Sequence, residues 1–355
     1  MNIVGLDIGT NYTKATKDGK KVITFPSIVV YGEEKDWNLK GEVRDVYIGE
    51  DALAMVQSME NVEVLRPLHE GRLMHDSYLE LARYALQKLN SKGADLVIST
   101  GLPVKSSKRE REELTKNLQD QLNAQTFLFP EPVGTMAFMG IETGVCIDIG
   151  FGTTDIVALT HMEYLKGDTM FIGVDRLYEN LELTIRNKIG VSLTPEEMTK
   201  LLTTEDYEIG RIRSGKRVSV SHNDVIDDYQ QLMKSWVEKI SNRAKMLLEG
   251  VSTSIVENLV VTGGGCTLPG VFDEFNKNFE EIVKLNRPDE PIISNSKGYY
   301  SLAQTLVREE KLGEGLEEEL MEEELSGSEE LSGLEELSEG KEKEEKKGKK
   351  SKKSK

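Results

Sequence analysis

A chain of 355 residues is long enough for two domains of ordinary size, and 38% hydrophobic with 30% charged residues fits a soluble globular protein. The net charge is −17; residues 309–355 carry 17 acidic and 10 basic residues, a net of −7, leaving −10 on the body. That sign argues against broad, sequence-blind nucleic-acid binding by the body. Apolar runs of only a handful of residues argue against a membrane-spanning helix, and two cysteines without CxxC or Cys/His spacing argue against a zinc site, an iron–sulfur cluster or a disulfide framework. The opening MNIVGLDIG has neither a basic n-region nor a long apolar h-region, so a cytoplasmic location is expected.

Along the chain, residues 3–8, 22–25, 96–100, 145–149 and 259–262 read as short, mostly buried strands. Between them lie amphipathic helical patterns at 77–89, 107–122 and 227–248, with apolar residues at helical spacing and Lys and Glu opposite. Strands alternating with helices define an α/β protein. The segment after Arg308 differs in kind: it has no aromatic residue, repeats a Leu-Ser/Glu-Glu unit and then turns basic from Lys341. That composition is expected to be a disordered tail, with a basic end able to touch polyanions or neighbouring molecules. Met136 and Met139 read as core packing.

One internal repeat stands out. VGLDIGTNYTK at 4–14 and VCIDIGFGTTD at 145–155 align without a gap at an offset of 141 residues, matching Asp7 with Asp148, Gly9 with Gly150 and Thr13 with Thr154. Each copy is an apolar strand, an Asp-Ile-Gly end, a turn of small or polar residues and renewed alternation, which is a β-hairpin. A glycine turn lets backbone N–H groups approach a phosphate oxygen. A carboxylate just before such a turn repels phosphate directly and makes sense with a hydrated magnesium ion between them. Lys14, seven residues after Asp7, can reach the same phosphates as a point charge. Farther on, LVVTGGGCTLPG at 259–270 runs a buried strand into Gly263, Gly264 and Gly265 and then towards a helix, a geometry that admits a flat ring or a phosphate against bare backbone. It lacks the GK[ST] of a P-loop and the dinucleotide GxGxxG spacing.

Taken in order, these elements resemble the actin/Hsp70/sugar-kinase ATPase superfamily over residues 1–306. The segments FPEPVGTMAF at 129–138 and NSKGYYSLA at 295–303 look like its two connecting helices. The resemblance implies two similar ribonuclease-H-like (actin-like) domains flanking a nucleotide cleft: residues 1–145 with a small subdomain at 31–66, and 146–308 with another at 175–251. It implies ATP, or GTP, with Mg²⁺ as cofactors. By position, Asp7 and Asp148 would hold the metal through water, and Thr10, Asn11, Tyr12, Gly150, Phe151, Gly152 and Thr153 would present turn N–H groups. Lys14 would neutralise phosphate charge, Glu131 would orient the attacking water, Asp155 would stand near that water, and Gly173 would contact the nucleotide.

Within the superfamily, MNIVGLDIGTNYTKA and the following PSIVVYG look most like ParM-type and related archaeal actins. That likeness implies a polymerising ATPase, self-associating into filaments for plasmid segregation or as a cytoskeleton, with a DNA-bound adaptor as the further partner. The alternatives are a non-polymerising ATP-binding adaptor of the pilus-assembly type and a small-molecule kinase.

Overall fold

In the computed structural model, residues 1–31, 46–58, 64–69, 72–93 and 95–311 are described. Two sheets built on one plan organise them. In the first, the strands Ile23–Pro26, Tyr12–Thr16, Asn2–Ile8, Leu96–Leu102 and Gln125–Pro130 lie side by side in that order. The first three form an antiparallel meander, and the last two join parallel to Asn2–Ile8. In the second, Glu163–Met170, Thr154–Thr160, Gly144–Ile149 and Leu259–Thr262 repeat the pattern. Asn286 makes a parallel bridge to Val260, where the first sheet has its fifth strand.

The chain divides into two units, Met1–Ala303 and Gln304–Lys355. Within the first unit, one core gathers Val4, Leu6, Ile8, Tyr78, Leu81, Leu114 and Leu118 against the first sheet. Another gathers Ile147, Ile149, Leu177, Leu181, Tyr229, Trp236, Phe275 and Phe279 against the second. Met136 is fully buried in a smaller cluster with Cys146 and Val260, and Met139 packs against it. Of the second unit, residues 304–311 are described and are helical. The tail expected from 309 lies otherwise outside the described residues, as does much of the small subdomain expected at 31–66.

Boundaries move where polar first turns hide the periodicity. The helix expected from 227 begins at His222, because Asp224 accepts hydrogen bonds from the Ser221 amide (2.8 Å) and hydroxyl (2.6 Å) and caps an extra turn. The helix expected from 77 spans His75–Lys88, and the strand expected at 22–25 is Ile23–Pro26. Among the described residues, no helix is long and apolar enough to cross a membrane.

The helices at Glu131–Phe138 and 294–303 cross at bare backbone. A Cβ on Gly298 would lie 1.7 Å from the Gly134 carbonyl oxygen, and one on Gly134 would lie 2.7 Å from that of Asn295. Only glycine permits this approach. The second helix also lies on the strand Asn2–Ile8, where a Cβ on Gly5 would meet the Ser296 oxygen at 2.1 Å.

Candidate functional site

The two hairpins have the same register. Asp7 pairs with Lys14 and Ile8 with Thr13 across the first; Asp148 pairs with Asp155 and Ile149 with Thr154 across the second. Each turn is closed by an equivalent bond: the Gly9 amide donates to the Tyr12 carbonyl at 3.2 Å, and the Gly150 amide to that of Thr153 at 2.8 Å. The tips meet, since a Cβ on Gly152 would lie 3.1 Å from Thr10 Oγ1. Arg66 steadies the first turn, donating to the Thr10 carbonyl at 3.1 Å and to Asn11 Oδ1 at 3.4 Å.

One cavity lies between these hairpins. Its first wall is Asp7, Gly9, Thr10, Asn11, Tyr12 and Lys14, its second Asp148, Gly150, Phe151 and Thr153. Gly263, Gly264 and Gly265, with Thr267 and Leu268, form another side, and Glu131 enters at the head of its helix. Val174, Leu268, Pro291 and Ile292 add apolar lining of a kind suited to a flat ring, and Tyr178, whose hydroxyl pairs with Thr199 at 2.8 Å, lines the cavity as well. Gly263 has φ +86°, and a Cβ there would lie 2.3 Å from Asp148 Oδ1, so both its conformation and its contact demand glycine.

Of the residues named from sequence, Gly152, Asp155 and Gly173 do not line the cavity. Asp155 is buried behind it, where its Oδ1 accepts from the Val104 amide (2.7 Å) and the Thr169 hydroxyl (2.5 Å). Its carboxylate thereby ties the loop after the first sheet's strand Leu96–Leu102 to the second sheet, whose Thr169 it also holds; the strand alternation that predicts its face says nothing of this loop. Gly173 precedes the helix Val174–Ile189 and packs on the second turn, where a Cβ would lie 2.1 Å from the Phe151 oxygen, while its carbonyl accepts from Trp236 Nε1 at 3.1 Å.

Asn295, Tyr178, Thr199 and Ile292 line the cavity without having been singled out as site residues. Tyr178 was legible in principle, one turn after Val174 on the same helix face. Asn295 had a weaker signal, an amide in a polar first turn ahead of Tyr299, Leu302 and Ala303.

The electrostatics are dominated by carboxylates. Asp7 and Asp148 are each only 7% exposed. Lys14 Nζ lies 3.1 Å from Asp7 Oδ2. Burial pushes Asp148 up to about 7, against a lowering by the Asn295 amide that donates to its Oδ2 at 2.6 Å. Burial likewise pushes Asp155 up to about 6, opposed by its bonds to Thr169 and Val104. Glu131 is held well above the usual carboxylate range by burial and then by the charges of Asp155, Asp7 and Asp148. Such a cluster favours a cation. No group of three or more His, Cys, Asp or Glu side chains among the described residues forms a metal cage. Two carboxylates facing a cavity of turn amides fit instead an ion that keeps its waters and shares phosphate ligands, as Mg²⁺ does.

Residues 5–127 match the N-terminal domain family of actin-like proteins, and residues 146–272 match the C-terminal family of archaeal MreB-like actin homologues. The actin-like protein MamK of Magnetospirillum gryphiswaldense is 30% identical over 294 residues, covering 76% of this chain and 79% of MamK. The crystal structure of MreB5 of Spiroplasma citri bound to AMPPNP superposes with a TM-score of 0.70 at 18% identity, over 88% of this chain and 98% of that one. A MamK double helical filament superposes with a TM-score of 0.70 at 20% identity, over 85% and 98% of the two chains.

Proposed function

This chain belongs to the prokaryotic actin-like filament proteins, and we propose from that premise that it is a cytoplasmic, Mg²⁺-dependent ATPase whose polymerisation follows its nucleotide state. The observation that carries the reading is the pair of register-matched hairpins, each delivering an aspartate and an amide-bearing turn to one cavity. The AMPPNP bound by the MreB5 relative and the filament formed by MamK support it. The MreB and MamK relatives favour a cytoskeletal filament; they lend no support to plasmid segregation or a DNA-bound adaptor.

The triphosphate would lie between the hairpins, with the turn amides of residues 10–12, 151 and 153 directed at its oxygens and Lys14 as a point charge beside them. Mg²⁺, held through its waters by Asp7 and Asp148, would supply neutralisation of the β- and γ-phosphate charge. Glu131 orients the attacking water and accepts its proton; positioning and charge stabilisation do most of the work in such a transfer. The apolar lining of Val174, Leu268 and Ile292 receives the base, and ATP is the nucleotide we assign, with GTP the competitor. Sedimentation, light scattering and electron microscopy with ATP, ADP and AMPPNP test the whole reading. Filaments that need ATP or AMPPNP, and phosphate release that needs Mg²⁺, are expected. Nucleotide turnover without any assembly would overturn the filament assignment; sugar-dependent ADP release would indicate a kinase.

A further inference from the structure

We propose that Asn295 is a positioning residue that fixes the Asp148 carboxylate and couples it to the helix carrying Glu131; the proposal rests on the assignment of Asp148 as a metal-holding group. Four contacts carry it. Asn295 Nδ2 donates to Asp148 Oδ2 at 2.6 Å. Its Oδ1 accepts from the Thr135 amide at 2.9 Å and the Thr135 hydroxyl at 2.8 Å. One turn farther along the same helix, the Tyr299 hydroxyl donates to the Glu131 carbonyl at 2.9 Å.

The amide has one orientation compatible with these partners. A backbone N–H only donates, so Thr135 selects Oδ1 and leaves Nδ2 for the carboxylate. All three residues are buried: Thr135 is fully enclosed, Asn295 8% exposed and Asp148 7%. The other oxygen of Asp148 lies against Gly263, so the carboxylate is confined from both sides. Asn295 and Tyr299 on one helix thus grip Thr135 and Glu131 on the other as two rungs, one turn apart, with the Gly134–Gly298 contact between them. A shift in how these helices cross must move the Asp148 carboxylate and the Glu131 backbone together. Partners behind a metal ligand typically tune affinity by 10- to 100-fold, which sets the scale here.

The test measures ATP binding by titration calorimetry on the full chain, with Mg²⁺ varied and with Mg²⁺ removed by EDTA. For Asn295→Ala, the Mg²⁺ concentration that half-restores tight ATP binding should rise by about 10- to 100-fold, while affinity in EDTA stays within about twofold of the unmodified protein. Thr135→Val, which keeps the amide bond but removes the hydroxyl, should shift it in the same direction by a smaller factor. A folded Asn295→Ala protein with unchanged Mg²⁺ dependence overturns the proposal while leaving the site assignment intact. If that variant does not fold, Thr135→Val decides: a shift supports the coupling and no shift overturns it. An unmodified protein that binds ATP with no response to Mg²⁺ removes the site assignment and the proposal together.

Discussion

The two hairpins share sequence spacing, register and turn bond, and their aspartates are equally buried, yet one cross-strand pair differs in charge. Opposite Asp7 stands Lys14; opposite Asp148 stands Asp155. The first hairpin therefore carries its own counter-charge, with Lys14 and Asp7 at 3.1 Å. The second faces one carboxylate with another, and its compensation comes from elsewhere: the Asn295 amide on Asp148, and Val104 and Thr169 on Asp155. A duplicated backbone sets where the groups stand, and the exchange of Lys14 for Asp155 decides which hairpin carries its own counter-charge. In the function proposed above, turn amides and a lysine would recognise phosphate, and confined carboxylates the metal that accompanies it.

The comparison is broken most severely at Asp148. Asp148→Ala should lower Mg²⁺-dependent phosphate release by about 10³-fold, the upper range for losing one preorganised electrostatic group. The melting temperature should remain that of a folded protein, and normal turnover would show that the metal is not held here. Glu131→Ala comes next. Phosphate release should slow by on the order of 10²-fold while ATP binding and assembly continue, so filaments persist instead of decaying. Light scattering and phosphate release on one sample separate this from a helix-entrance effect of the carboxylate, worth only about 0.3–1 kcal/mol of stability.

Lys14→Ala asks whether the first hairpin needs its own cation. ATP affinity should fall by about tenfold, the scale of one charge-assisted hydrogen bond, as measured by titration calorimetry. An unchanged affinity would mean that Lys14 serves Asp7 alone.

Asp155→Asn is the mildest and sharpens the contrast most. An asparagine Oδ1 can still accept from Val104 and Thr169, so turnover should change little; a collapse in turnover would return Asp155 to the chemistry. The pH dependence of stability should change instead. Asp148 and Asp155 are raised to about 7 and about 6, from an ordinary 3.8. A raised folded-state value favours the protonated fold at low pH, and that contribution is lost as pH climbs through the raised values. In EDTA without nucleotide, the unmodified protein should therefore melt at progressively lower temperature as pH rises between about 4 and 7. Asp155→Asn should flatten the lower part of that slope near pH 6.

The features readable from sequence are those encoded locally. Asp-Ile-Gly occurs twice with the same flanks, so a 141-residue offset reveals both hairpins, and three consecutive glycines after a buried strand mark the loop beneath Asp148. Asp155 illustrates the limit. Its place on the strand follows from alternation, but its partners, Val104 and Thr169, are 51 and 14 residues away, and only the folded chain tells which group it serves. Asn295 illustrates it further: the amide acts across 147 residues on Asp148 and 160 on Thr135, and no spacing rule connects the three. The helix beginning at His222 was obscured for the opposite reason, a polar first turn whose cap is local but whose apolar stripe starts later.

The Gly134–Gly298 crossing has a mechanical consequence. Side chains at a joint can repack, so an ordinary helix contact yields gradually under load and settles into several arrangements. Backbone on backbone has no such slack. Pinned there and tied on either side by the Asn295–Thr135 and Tyr299–Glu131 bonds, the two helices pass a displacement from one to the other undiminished.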